Sequence, residues 1–306
     1  MRVLIAIDGS VDGFEAVRQA ARLVSPEKDH IVLYYSLPSI RLDIESSNEA
    51  ATADKVRGVL AQAVFEEARK CLPTDFVSHV QEIVDSEDPR EGIIAAAEQG
   101  KADMIVVGAR GLSPLTRLLL GSVSKTVLHA ARVPVLVVRR PKAMDQDSQL
   151  RVLLACDRPD TATAMAQLVS NLTWPPNTSG RSITVLPGVL VGRVPAWLEE
   201  RTRSPEIEEL TRAWVEEHQE ESRQAKSRLA HFFQSLPKVF HQEPIVVDGH
   251  PADTLLEMID RHHIDLIMLG ARRLGRIERF IIGSTSEAVL NHAPCSVMII
   301  RGEKSA

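Results

Sequence analysis

Gly108, Gly111, Gly121 and Ser122 stand in a Gly-x2-Gly-x9-Gly-Ser spacing. The spacing follows the apolar run Met104–Val107 and precedes an amphipathic stretch, Val123–Ala131. It predicts a strand that ends in glycines and a helix that starts at Gly121-Ser122. The chemistry this suits is anion binding. Glycine lets backbone N–H groups come close to a ligand, and a helix start offers unpaired N–H donors and a positive dipole end. The loop is therefore read as a cradle for nucleotide phosphates, with ordinary turn glycines and an N-cap serine as the plainer alternative. Ser124 could add a hydroxyl and Lys125 a positive charge. Arg110 and Arg117 could reach phosphates too, although loop arginines are usually solvated.

These groups need elements to hold them, and the sequence supplies the elements twice. Arg2–Asp8 is echoed by Arg151–Asp157, Ala102–Arg110 by Ile264–Arg272, and Val133–Arg139 by Pro294–Arg301. A period this long means two whole domains and not a solenoid. The domains are drawn at 1–140 and 150–302, with a polar linker, Arg140–Gln149, at their boundary. In the first copy, strands are predicted near 2–8, 30–36, 76–84, 103–107 and 134–139, with helices near 12–24, 48–71, 89–99 and 122–131. In the second, strands fall near 151–156, 182–190, 243–247, 265–269 and 295–300. Strands that read as continuous Val/Ile/Leu runs, alternating with helices, imply a doubly wound α/β fold: a five-stranded parallel sheet per domain, with helices on both faces. Ligands in such folds sit beyond the carboxyl ends of the strands, where Asp8 and Gly108 both fall. The second copy also holds a long amphipathic helix over Pro205–Leu236, with Ile207, Leu210, Trp214, Ala225, Leu229 and Phe232 on its core face.

Composition narrows the classes. With 306 residues, 44% hydrophobic and 25% charged, the chain reads as a soluble globular protein of two ordinary domains. A net charge of −5 gives no reason to expect general binding to nucleic acid, and no apolar run is long enough to span a membrane. Arg2–Ile7 reads as a strand and not as a leader, so the expected setting is the cytoplasm. Cys71, Cys156 and Cys295 lie far apart without metal spacing and are expected to be buried free thiols.

The opening strand ending in Asp8-Gly9-Ser10, the segment Asp103–Gly111, the glycine loop and the closing Val133–Val138 together resemble the universal stress protein family. Both halves of the chain carry the resemblance, so the chain is similar to a tandem universal stress protein. The resemblance implies an adenine nucleotide alpha hydrolase-like fold. It implies adenine walled by Ala6 and Ile7, the nucleoside at Asp8, and phosphates held by Gly108, Gly111, Gly121, Ser122 and Ser124. It implies ATP as ligand; ADP, AMP and cyclic nucleotides stay open, as does Mg. The expected role is a stress-response or regulatory protein whose nucleotide selects a conformation or a protein partner, as yet unidentified. A slow ATPase or adenylyl-transfer enzyme is one alternative, and a chaperone-like scaffold with a vestigial pocket is another. No Gly-Lys-Ser/Thr, nucleophile elbow or HExxH motif points to dedicated catalysis. Pairing of the two final strands within one chain, as a pseudo-dimer, is expected to cover both sheet edges; a homodimer of whole chains stays open.

The second copy departs from the first. Arg273 replaces Gly111, Glu287 replaces Lys125, and Asp157-Arg158-Pro159 replaces Asp8-Gly9-Ser10, while Gly283-Ser284 is kept. A Cβ resists the left-handed backbone open to glycine, and Glu287 brings a negative charge. One nucleotide site is therefore expected, in the first domain, with Arg272, Arg273 and Arg276 as an alternative anion clasp and Gly275 as a displaced turn. Other features read as ordinary: His262-His263 as an exposed pair, His250 as a loop residue, and Asp85, Glu87 and Asp88 as a capping turn. The polar stretch Leu37–Asp54 is read as a surface loop, with a cover over the nucleotide as the alternative.

Overall fold

A computed structural model describes residues 1–37, 47–111, 120–139, 149–156, 159–187, 205–273 and 280–301; side chains of residues 47–54, 77–78, 159–160, 187, 205–218, 272–273 and 280–281 are not described. The first half runs β1 (Arg2–Ile7), α1 (Val11–Ala21), β2 (His30–Ser36), α2 (Ser47–Arg69), β3 (Val80–Asp85), α3 (Pro89–Gln99), β4 (Met104–Gly108), α4 (Ser122–Ala130) and β5 (Val135–Val138). The second runs β6 (Arg151–Ala155), α5 (Pro159–Asn171), β7 (Ser179–Pro187), α6 (Pro205–Gln234), β8 (Ile245–Gly249), α7 (Pro251–His262), β9 (Leu266–Arg273), β10 (Phe280–Ile281), α8 (Ser284–His292) and β11 (Ser296–Arg301).

In both halves the strands form the same parallel order, β3-β2-β1-β4-β5 and β8-β7-β6-β9-β11. The two sets fuse into one eleven-stranded sheet through an antiparallel β5–β11 pair, with β10 hanging from β9 off the main path. Leu136 faces Met298, and Val137 and Val135 face Val297 and Ile299. These are matching residues of the two copies, so the contact is isologous, as in a twofold dimer. Antiparallel joining also sends the carboxyl ends of the two half-sheets to opposite ends of the molecule.

The sheet is covered on both faces, and each core is continuous across the two halves. On one face α1, α2, α5 and α6 pack with Ile5, Phe65, Leu136, Leu154, Phe232 and Met298. On the other, α3, α4, α7 and α8 pack with Ile93, Val107, Leu128, Val137, Ile267 and Leu290. The repeat extends to fine detail. The Asp103 carboxylate accepts the Arg2 N–H at 2.6 Å, and Asp265 accepts that of Arg151 at 2.9 Å, each tying the first and fourth strands of its half together. Lys101 and His263, both non-glycine, adopt left-handed backbone (φ 50°) just before β4 and β9.

Some expected boundaries move. Residues Thr74–His79 form a 3-10 turn, and β3 starts only at Val80; Phe76 is buried from that turn and not from a strand. β7 begins at Ser179, because the backbone of Ser179 pairs with Arg151 although its side chains there are polar and small. The Leu37–Asp54 stretch turns helical at Ser47, while residues 38–46 lie outside the described residues. Ala225, Leu229 and Phe232 are buried from α6 as expected; Ile207, Leu210 and Trp214 lie outside the described side chains. Cys156 and Cys295 are buried and Cys71 is half-buried, all as free thiols. Burial pushes the Cys295 thiol up to about 12.

Candidate functional site

β1 delivers Asp8 to the carboxyl end of the first half-sheet, where the chain turns sharply into α1. Gly9 takes φ +79°, a conformation that favours glycine. The Ser10 N–H donates to Asp8 Oδ1 at 3.0 Å, and the Ser10 hydroxyl accepts from the Gly13 N–H at 3.0 Å. Ser10 is thus the N-cap, and Asp8 is the turn residue before it. This occupies one carboxylate oxygen only. The other faces the glycine loop: a Cβ added at Gly111 would lie 2.5 Å from Asp8 Oδ2. A residue larger than glycine at 111 would have to displace either the loop or the carboxylate.

The loop is cinched at both ends. Gly108 lies against the backbone of Asp12, where an added Cβ would come within 3.0 Å. Ala109 N–H donates to the Val138 carbonyl at 2.7 Å, and Gly121 N–H to the Ala109 carbonyl at 2.8 Å. The buried Ser124 hydroxyl donates to the Gly108 carbonyl at 2.7 Å. Gly121 then caps α4 without any side-chain hydrogen bond to the first turn. The leading N–H groups of α4, beside the exposed Ser122, therefore have no intrahelical acceptor. The bound distances bring Asp8, Gly108, Gly111 and Gly121 to one place, at the carboxyl ends of β1 and β4.

Three expected residues behave differently. The Ser124 proton is already committed to Gly108, so its hydroxyl braces the loop. Ala6 and Ile7 alternate across the sheet, as successive strand residues must. Ile7 belongs to the core with Tyr35 and Phe65, and Ala6 packs on the opposite face. Their side chains lie on opposite faces of the sheet, so a ligand beyond the strand end meets them from different sides. Arg110 is held by Asp12 at 3.4 Å, and Arg117 lies outside the described residues. Tyr35 is raised by burial first and then by the negative charge of Asp8, which places that charge near the phenol.

The second copy keeps the frame and changes the loop. Ser286 donates to the Gly270 carbonyl at 3.4 Å, and Gly283 caps α8 without a side-chain bond. Thr161 replaces Asp12 under Gly270. β9 does not stop at Gly270, however. It runs to Arg273 and pairs back antiparallel with β10, Arg273 opposite Phe280 and Arg272 opposite Ile281. The connection is thus a hairpin where the first copy has a glycine loop. The hairpin was missed because a two-residue return strand has no periodicity to read. Asp157, Gly275 and Arg276 lie outside the described residues, as do the side chains of Arg272 and Arg273. A cavity of about 260 Å³ remains beside Gly270, Gly283 and Ser286.

Sequence reasoning also missed a reciprocal contact at the centre of the molecule. The Arg139 guanidinium, buried after β5, donates to the Leu290 carbonyl at the end of α8; that of Arg301 donates to the Leu128 carbonyl at the end of α4. Each copy closes its last apolar strand with arginine, which was the available signal. A cation suits the negative end of a helix dipole. Burial lowers both guanidinium groups, that of Arg301 to about 10.

Fold and site together define a tandem of two doubly wound α/β domains, one bearing a glycine loop at its strand ends. The sequence profile of the Universal stress protein family matches residues 1–139 and 196–301. A universal stress protein of Mycolicibacterium smegmatis is 28% identical over 98% of this chain and 96% of its own. One from Methanocaldococcus jannaschii is 31% identical over 46% of this chain and 83% of its own. The crystal structure of a universal stress protein from Archaeoglobus fulgidus covers 100% of this chain and 97% of its own, with a TM-score of 0.55 and 20% identity. The chain belongs to the universal stress protein family. Among the described residues no helix is long and apolar enough to cross a membrane.

Proposed function

We propose that residues 1–140 form a domain that binds one adenine nucleotide, ATP or its ADP or AMP product, and that residues 150–302 form a domain whose rebuilt loop does not. The observation that carries this reading is the contact between Gly111 and the Asp8 carboxylate. It supports a single site in which Asp8 Oδ2 accepts ribose hydroxyls. The backbone N–H groups of Gly111 and Ser122 then meet the phosphates at the positive end of α4, beside Gly121, whose own N–H is held by the Ala109 carbonyl. Ser124 serves by holding Gly108, and Ala6 and Ile7 contribute backbone at the strand end. In this reading the protein is a cytoplasmic regulator whose nucleotide state selects a conformation or a protein partner.

The test is the nucleotide content of freshly purified protein, released by denaturation and identified by chromatography and mass. About one adenine nucleotide per chain is expected. The variant Gly121→Val should lose it and Gly283→Val should keep it. A Cβ at Gly121 meets nothing closer than 3.5 Å, so the change blocks the helix start with little strain on the fold. A chain that arrives empty and ignores added ATP would refute the reading, and two nucleotides per chain would refute its assignment to one domain.

A further inference from the structure

The two domains also differ in how they fill the space at the strand ends on the α1/α2 face and its counterpart. In the first domain Ile7 pairs in register with Tyr35, and the Tyr35 ring meets Phe65 edge-on, with centroids 6.3 Å apart. Phe14 of α1 packs against the same core. In the second domain the strands pair in the matching register, Ala155 with Ile183, which puts Cys156 and Thr184 in the places of Ile7 and Tyr35. Thr163 of α5 stands where α1 has Phe14. Two aromatic rings and one isoleucine have become threonines and a cysteine. A cleft of about 870 Å³ lies between α5 and α6, open to solvent along Thr163, Gln167, Arg228 and His231. A volume of this size is in the range of small-molecule sites.

The lining defines what would fit. The inner wall is apolar, with Ala162 and Ala166 from α5 and Ala225, Leu229 and Phe232 from α6. The outer rim is polar, with Gln167, Ser170, Ser227 and Ser235. Among the described residues the cleft is lined by Arg228 and His231 and by no carboxylate; Glu221 borders the smaller cavity next to it. Among the described residues neither Arg228 nor His231 has an ion-pair partner. Arg228 also borders the smaller cavity beside Gly270, so it stands where the two volumes meet. Thr184 also lines the cleft, and its hydroxyl is spent on the Cys156 carbonyl at 2.7 Å.

We propose that the second domain binds a long-chain carboxylate, with the apolar body between α5 and α6 and the carboxylate on Arg228. Burying the chain supplies the driving force, and a charge-assisted hydrogen bond to the guanidinium fixes its direction. This assignment does not depend on nucleotide binding by the first domain. It gives the second domain a ligand of its own, in space that the first domain fills with its own side chains.

The test is a fluorescence titration of the full chain with cis-parinarate and with its methyl ester. Saturable binding of the acid at one site per chain is expected. Arg228 is exposed on α6, so Arg228→Ala should leave the fold intact and weaken the acid roughly tenfold, with little change for the ester. The triple variant Cys156→Ile, Thr163→Phe, Thr184→Tyr restores the first-domain residues; with unaltered melting it should abolish binding of both. Absence of saturable binding, equal affinity of the acid for parent and Arg228→Ala, or displacement of the probe by one equivalent of ATP would each overturn the proposal. The Arg228→Ala comparison decides by itself if the triple variant fails to fold.

Discussion

Gly111 and Arg273 hold matching places after β4 and β9, and the backbone does different things around them. After β4 the chain leaves the sheet at Gly108 and passes so close to Asp8 that a side chain at 111 has no room. After β9 it stays in the sheet through Arg273 and folds back on itself. Much of the frame beneath the loop is retained: the Asp103 and Asp265 strand ties, the Ser124 and Ser286 braces, and the uncapped helix starts at Gly121 and Gly283. A shared frame therefore carries two different loops. One residue without a Cβ, set against one carboxylate, separates a loop that can offer its N–H groups from a hairpin that spends them on a neighbouring strand.

The strongest way to break this comparison is to make the first loop resemble the second. Gly111→Arg should expel the nucleotide completely. Forcing a side chain against Asp8 should also cost roughly 1–3 kcal/mol of stability, read from the urea midpoint. Retained nucleotide in a stable Gly111→Arg protein would show that the contact with Asp8 is not what forms the site. The reverse change, Arg273→Gly, should not create a second site, because Thr161 and Glu287 remain; nucleotide content should stay at one per chain in the mass assay.

A smaller effect sharpens the comparison of the braces. Ser124→Ala should cost about 1 kcal/mol for a buried hydrogen bond, and Ser286→Ala less, since its bond is 3.4 Å against 2.7 Å. Equal losses in chemical denaturation would mean that the two helix starts are held alike. The smallest effect is confined to alkaline pH. Cys295 stands where the first copy has Val133, and burial raises its thiol from 9.0 to about 12. The folded state then holds a proton that the unfolded chain has released. Its contribution is fully present below pH 9 and is lost as pH rises toward 12. Arg301, lowered by burial, works in the opposite direction over an overlapping range, so Cys295→Ala against the parent is the comparison that isolates the thiol. The parent should lose more urea resistance than the variant between pH 9 and 11, a range set by the shift to about 12.

Much of this was readable before any coordinates. Fully buried parallel strands have to be continuous apolar runs, so Val3–Ile5, Ile105–Val107 and Val297–Ile299 announced themselves. The echo of each segment in the second half gave the tandem. The convergence of Asp8 on the glycines followed from strand order alone. What stayed hidden depends on partners distant in sequence. The start of β7 at Ser179 is set by pairing with Arg151 and not by its own side chains. Phe76 looks like a strand residue because it is apolar, yet it is buried from a 3-10 turn. The role of Ser124 is fixed by a carbonyl sixteen residues earlier, which spacing does not reveal. The opposite orientations of Ala6 and Ile7 were readable from strand alternation, and the family resemblance obscured them.

The pairing of β5 with β11 has a consequence for how the molecule responds to dilution. Two separate domains joined edge to edge would obey mass action and come apart as their concentration fell. Here both edges belong to one polypeptide, and the crossed arginines, Arg139 on Leu290 and Arg301 on Leu128, clasp them at both ends. The effective concentration of one edge for the other is set by the tether and not by expression level. The halves stay paired when the protein is scarce as when it is abundant.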